Sequence, residues 1–438
     1  MKYQEHNFLS GRYYMQDTLF SNKYLIFLLF LFSPMIINVG GEVSPTLLFI
    51  AATSPFWIKY IDIKNDSILR NFIWIFAIII LIQIVWFPFA KTDDFTQIKG
   101  LLITISGLMH FLFYYFVFRR DVSLIKWAIL GLFIADFIFI DVLAVRAGDE
   151  YGMWKFHTYP HIVTGCVLVY VWLCDKKWVL KLSPILLILI GLLGLFTGSR
   201  SAGLIPLISG LFAMVILSRK NRVYPNQIIK YVAISVVALY AVYAFFYVPN
   251  VLNGKIEGGN TLQLKRTENP YNPINLLMIG RTDAIIPFVA FADKPITGWG
   301  YMTEDPNKKY HAMLMRMANR SERNRIMSFR EEKYIPGHSV IGYYACSYGI
   351  VAFIALILLL FKTWKYVILS IVNCDKYLLY RLYGVISITW HFLFSPMSHF
   401  KWLETSIMSI VLVMSLTAIK DYVNYESKNI SNNTNIRQ

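Results

Sequence analysis

Apolar residues along this chain gather in long runs separated by polar breaks. The runs lie at about 23–39, 44–58, 71–90, 100–118, 124–145, 161–174, 182–198, 202–218, 229–248, 339–361, 379–395 and 403–419. A helix that crosses a bilayer needs about 20 predominantly apolar residues, so the pattern predicts twelve membrane-spanning helices, the shorter ones tilted or with shifted boundaries. Residues 1–22 are polar and lack the short apolar core and small-residue cleavage site of a signal peptide. One segment breaks the rhythm: residues 249–337 form a single loop between the ninth and tenth spans, longer than a simple connector. The expected organisation is a polar segment 1–22, nine spans over 23–248, the loop 249–337, three spans over 338–419 and a tail 420–438.

Composition agrees. Of 438 residues 56% are hydrophobic and 16% charged, against roughly 45–50% and 25% in soluble domains. The net charge of +16 would point to nucleic acid in a soluble protein, but its distribution points elsewhere. With the N-terminus inside, Lys59, Lys64, Arg70, Arg119, Arg120, Lys126, Lys176, Lys177, Lys181, Arg219, Lys220, Arg222, Lys362, Lys365 and Lys420 all fall on the cytoplasmic side. That is the positive-inside pattern, with both termini cytoplasmic. No nucleic-acid partner is expected. The long loop is then extracytoplasmic, yet it carries more Lys and Arg than Asp and Glu where topology asks for no positive charge.

The loop contains structure signals. Residues 281–292 read as a short helix opened at Gly280–Arg281, Pro295, Gly298 and Gly300 mark a turn, and 308–332 is a basic amphipathic stretch. Cys166, Cys174, Cys346 and Cys374 show no CxxC spacing, so neither a disulfide framework nor a zinc site is expected. Walker A, GxGxxG and HExxH motifs are absent. No metal and no cofactor is expected.

Three places put chemistry at the outer boundary. In Thr197-Gly198-Ser199-Arg200-Ser201 the glycine lets backbone amides approach a ligand, Ser199 and Ser201 can donate hydroxyls, and Arg200 can grip a phosphate. The plain alternative is an arginine snorkelling to the interface. In Gly280-Arg281-Thr282-Asp283, Arg281 opens a helix whose dipole already favours an anion, the alternative being an Arg281–Asp283 surface pair. His338, after Pro336-Gly337, can exchange a proton near neutral pH, although a lone histidine is more often structural. All three share one depth on one side. Asp136 and Asp141 in the fifth span are costly there, and helices carrying His110 or Tyr115 offer them partners. His157 and His161 flank the sixth span without enough further ligands for a metal. His311, His391 and His399 have no partner at ligand spacing.

The runs LFTGSRSAGLIPLISGLF (195–212), GRTDAIIPFVAFADKPITGWGYM (280–302) and GHSVIGYYACSYGIVAFIALILL (337–359) resemble the bacterial O-antigen ligase/polymerase superfamily. His338-Ser339, nine residues, then Gly349 matches the ligase spacing, but Ala352 stands where that pattern has Gly, Thr or Tyr. The resemblance implies an all-α integral membrane glycosyltransferase of the GT-C type with about twelve spans and one large periplasmic loop, in the bacterial inner membrane. It implies transfer of a glycan from an undecaprenyl-pyrophosphate carrier to an acceptor at the periplasmic face, with a chain-length regulator as a further partner. Arg200 and Arg281 match the arginines that hold the pyrophosphate, and His338 the histidine near the reacting hydroxyl. Arg316, Arg320, Arg323 and Arg325 have no motif-level match. The expected activity is polymerisation of lipid-linked repeat units, with the ligase that loads lipid A–core as runner-up and protein O-oligosaccharyltransferases as a third form. A lipid-linked sugar flippase fits less well, because its charges would lie near the midplane in two related halves.

Overall fold

The computed structural model describes residues 20, 22–38, 42–90, 92–139, 153–197, 199–217, 240–255, 281–317, 333–371, 375–397 and 402–435, with isolated positions between 230 and 239 and between 264 and 275. Among them the regular structure is helical, apart from a two-residue antiparallel pairing of β1 (Ile37–Asn38) with β2 (Glu42–Val43) and a bridge between Glu304 and Tyr334. The first half contributes α1 (Lys23–Leu31), α2 (Pro45–Trp57), α3 (Ser67–Trp86), α4 (Asp94–Arg120), α5 (Ile125–Ile138), α6 (Tyr159–Leu173), α7 (Lys177–Phe196) and α8 (Arg200–Leu217). There follow the short α9 (Val248–Leu252), α10 (Thr282–Asp293) and α11 (Lys309–Met317) of the loop region, then α12 (Val340–Ser370), α13 (Leu378–Phe394) and α14 (Leu403–Asn435).

Among the described residues five stretches, at 67–89, 94–120, 177–196, 340–370 and 403–424, are helical, long and apolar enough to cross a membrane, and Tyr159–Leu173, Ala202–Leu217 and Leu378–Phe394 are shorter apolar helices. The described residues thus form an all-α protein of membrane-embedded character. α1, α2 and α5 also lie on apolar runs but have 9, 13 and 14 residues. Part of the run 229–248 and all of 140–152, including Asp141, lie outside the described residues, as do Gly280 and Cys374.

Helix ends are set by local chemistry. Asp66, Asp93, Ser44 and Ser339 each accept a backbone N–H from the first turn that follows, satisfying one of the donors that every helix start leaves over. Arg119 and Arg120 close α4, where cations suit the helix dipole.

The apolar stretches of α4 and α14 are 67% buried and that of α3 only 28%, which puts α4 and α14 at the centre and α3 at the edge. Outward faces are as apolar as the core: Trp74, Leu81 and Ile84 on α3 and Leu182, Leu189 and Phe196 on α7 are exposed, as hydrocarbon surroundings favour. Inside, Phe111, Phe113, Tyr114, Trp57 and Phe72 are fully buried or nearly so, and Ser409 Oγ donates to the Phe111 carbonyl at 2.8 Å, tying α14 to α4. Small residues let the antiparallel α7 and α8 touch: a Cβ on Gly203 would lie 2.8 Å from the Gly191 carbonyl oxygen. That contact holds the end of α7 beside the start of α8.

α12 is interrupted at Gly349, whose φ of 77° and ψ of −166° are closed to residues with a side chain. Ile350 N, which an unbroken helix would direct to the Cys346 carbonyl, donates instead to Pro295 O at 2.7 Å. Trp299 N takes the Cys346 carbonyl at 2.7 Å and Gly300 N takes Ser347 O at 2.9 Å. The sequence-predicted turn 295–300 is therefore stitched into the break. Tyr301 continues the seam to α4, where its N–H donates to Gln97 Oε1 and its carbonyl accepts from Thr92 and Gln97. A Cβ on Gly349 would sit 2.0 Å from the Ile296 carbonyl oxygen. Gly349→Ala is expected to cost about 1–3 kcal/mol from backbone strain alone, seen as a lower melting temperature and faster proteolysis within 294–303. An unchanged melting temperature would contradict the seam.

Candidate functional site

Arg281 caps α10 with a non-helical backbone (φ −140°, ψ 37°). It is half-buried, and its guanidinium lies 5.7 Å from the ring centres of both Trp390 and Phe394 on the last turn of α13. Aromatic faces attract a guanidinium while leaving its edge donors available to an anion. The segment leading into α12 joins this place directly: His338 N donates to the Asp283 carbonyl at 3.0 Å. Ser339 caps α12 through Gly342 N at 3.0 Å and its hydroxyl also points to the Phe392 carbonyl at 3.3 Å. Arg281 and His338, 57 positions apart in sequence, thus meet at one junction of α10, α12 and α13. It lies at the end of the bundle that carries the loop.

The same turn of α13 carries a second cluster, made by His391, for which the sequence offered no partner, and Glu404, which the sequence did not single out. His391, one position beyond Trp390, does have a partner: its Nδ1 lies 2.7 Å from Ser395 Oγ and 3.6 Å from Glu404 Oε1. Glu404 is fully buried in the first turn of α14. The pairing crosses the connection between two helices, so no sequence spacing reports it; an acid opening an apolar run was the available signal.

The Thr197–Ser201 turn is placed only in part. Ser199 is buried and its carbonyl accepts from Gly203 N at 2.8 Å. Thr197 Oγ1 accepts from Trp154 Nε1 at 2.8 Å. Trp154 opens the π-helical turn before α6, a feature often found at functional sites. Gly198 and the side chains of Arg200 and Ser201 lie outside the described residues. α8, which Arg200 opens, packs along α13.

Other candidates have local partners. His311 has Asp305, whose carboxylate accepts from Tyr310 N and His311 N at 3.1 and 2.7 Å and so starts α11. His110 Nδ1 contacts the Ser106 carbonyl at 2.9 Å, and the Tyr115 hydroxyl bonds Asp66, not Asp136. Asp136 faces His161 at 3.9 Å, and the His161 ring lies between Phe133 and Phe137. Arg316 ends exposed on α11, while Arg320, Arg323, Arg325 and His399 lie outside the described residues. Among the described residues no three His, Cys, Asp or Glu side chains are arranged to hold a metal ion.

Charge at the opposite end of the bundle is paired for stability. Arg381, fully buried, places Nη1 2.7 Å from both oxygens of Asp375, Arg119 pairs with Asp66, and Lys376 bonds Asp175 at 2.6 Å.

No protein-family model matches this chain, and no curated protein matches it either. The chemistry of the junction rests on its own residues.

Within the loop, α11 is clamped to α10 by Asp293, which accepts from Lys309 Nζ and the Tyr310 hydroxyl at 2.5 Å each. These two donors hold the Asp293 carboxyl below its ordinary range. Its stabilising effect is present above the unfolded value near 3.9 and disappears as pH falls through the lowered one. Asp293→Asn is expected to lower the melting temperature at neutral pH, with the gap to wild type closing under acid conditions. A gap that is the same at every pH would contradict the clamp.

Proposed function

We propose that this protein is a membrane glycosyltransferase that joins oligosaccharide repeat units carried on undecaprenyl pyrophosphate. The product is O-antigen or capsular polysaccharide, made at the periplasmic face of the bacterial inner membrane. The observation that carries the reading is the junction at which Arg281, seated on two aromatic rings, meets the His338 segment. It lies at the end of an apolar bundle, where a lipid-borne anion would present its headgroup. The finer architecture that belongs to this reading is a GT-C-like fold of twelve spans with residues 249–337 outside and both termini inside.

The chemistry needs little beyond what these residues supply. A polyprenyl pyrophosphate leaves well once its charge is neutralised, and preorganised cations at the developing charge are often the largest catalytic contribution. Arg281 and Arg200 would bind the pyrophosphate, with Ser199 and Ser201 as hydroxyl donors. The acceptor hydroxyl attacks the anomeric carbon from the face opposite the leaving oxygen, so the configuration inverts. His338 orients that hydroxyl or takes its proton. The +4 balance of the loop, 13 Lys and Arg against 9 Asp and Glu, supports attraction of an anionic substrate to this face. The ligase reading shares the donor and phosphate chemistry and is favoured by the His338-Ser339…Gly349 spacing.

Deletion of the gene followed by electrophoresis of surface polysaccharide separates the readings. A polymerase mutant is expected to show core bearing a single repeat unit. A ligase mutant would show bare core with polymer held on its carrier, and a flippase mutant would accumulate units facing the cytoplasm. Arg281→Ala and His338→Ala should each reproduce the deletion while accumulating normally in the membrane. Full-length polymer in normal amount from both variants would overturn the proposal.

A further inference from the structure

The seam at the Gly349 break encloses polar groups that the proposed chemistry does not use. Gln83 and Trp86 from the end of α3, Gln97 from α4, Trp299 from the 295–300 turn, and Ser347 and Tyr348 from α12 line one cavity of about 10 Å³, room for a single water-sized molecule. Three side-chain atoms of this lining are buried and, among the described residues, have no hydrogen-bond partner: Gln83 Oε1, Trp86 Nε1 and the Tyr348 hydroxyl. Gln83 and Tyr348 are themselves only 5% and 2% exposed. The other end of the Gln83 amide is already committed. Its Nε2 donates to Thr104 Oγ1 at 2.8 Å, and Thr104 Oγ1 lies 2.8 Å from the Tyr344 hydroxyl. Gly100 on α4 leaves the space that the Tyr348 hydroxyl occupies, since a Cβ there would lie 2.4 Å from it.

A polar atom without a partner in apolar surroundings costs its full desolvation, so three such atoms from two helices around one small cavity point to a common occupant. Their polarities decide its kind. An indole N–H only donates, an amide oxygen only accepts, and a phenol hydroxyl does either. A cation would face the Trp86 N–H, and an anion would face the Gln83 oxygen, each a group of the wrong polarity. A neutral molecule that both donates and accepts answers all three, and the volume admits nothing larger than water.

We propose that this cavity binds one water molecule as a fixed part of the seam. The water accepts from Trp86 Nε1, donates to Gln83 Oε1 and bonds the Tyr348 hydroxyl. It joins α3, the least buried of the five long apolar stretches, to α12 beside the residue whose carbonyl holds Gly300 N, Ser347. This water site is independent of the reaction the protein carries out.

The test uses the purified full-length protein in detergent micelles. A high-resolution map of the wild type is expected to show one isolated peak at hydrogen-bonding distance, about 2.7–3.2 Å, from Gln83 Oε1, Trp86 Nε1 and the Tyr348 hydroxyl. A map without that peak overturns the proposal, and so does density that continues outward as a detergent or lipid headgroup. Thermal unfolding of Trp86→Phe, Tyr348→Phe and the double variant gives a second readout. Each single substitution is expected to lower the midpoint by on the order of 1–2 °C. The double variant should fall by clearly less than the two shifts added, because losing either partner already loosens the water that both share. Strictly additive shifts would contradict a shared water. If the double variant does not accumulate, the map decides.

Discussion

Helix α12 is broken at Gly349 inside an apolar bundle, and the backbone groups released there must be answered by something other than water. An unsatisfied peptide group in hydrocarbon costs several kcal/mol. The answer comes from residues 295–300, whose N–H and C=O groups exchange three bonds with Cys346, Ser347 and Ile350. This makes the loop segment part of the membrane bundle, and it constrains where α10 ends and α12 enters. α10 runs from its Arg281 cap to Asp293, two positions short of Pro295, and His338 lies two positions before Val340 opens α12. Both functional candidates therefore sit on helices anchored to the same seam.

Two kinds of charge follow from this arrangement. At the end away from the loop, Arg381 with Asp375 and Arg119 with Asp66 are buried or half-buried pairs that satisfy each other. Breaking such a pair is costly because it strands its partner. At the loop end Arg281 rests on aromatic rings, and the buried Glu404 carboxylate stands behind the His391 ring, which stays partly exposed. A guanidinium on aromatic faces keeps its edge donors in its own plane, so this end of the bundle differs in kind from the paired end. Among the described residues the buried positive charge is thus paired with carboxylates at one end, while Arg281 rests on aromatic rings at the other.

Much of this was legible along the chain. Where the apolar runs are described they are mainly helical, because a continuous apolar stretch has no better way to satisfy its backbone in hydrocarbon. The short helix read over 281–292 is α10, at 282–293, and Pro295, Gly298 and Gly300 do mark the turn. What stayed hidden were features made by contacts distant in sequence. The run 339–361 reads as one uninterrupted span, because a lone glycine among apolar residues looks the same whether its φ is negative or positive. His391 and Glu404 are thirteen positions apart across a helix connection, and His311 finds Asp305 only because the carboxylate turns back to open α11. Asp136 meets His161 across α5 and α6 for the same reason. Periodicity reports which residues share a helix face, not which faces meet.

A lipid pyrophosphate held at the Arg281 end of the bundle is the interaction on which the proposed chemistry stands. The direct measurement is equilibrium binding of undecaprenyl pyrophosphate to the purified full-length protein in detergent micelles, with Arg281→Ala alongside. Saturable binding is expected, weakened about tenfold or more by the substitution, the loss of one charged hydrogen-bonding partner. Equal affinity of the two proteins, or no saturable binding to either, would contradict it.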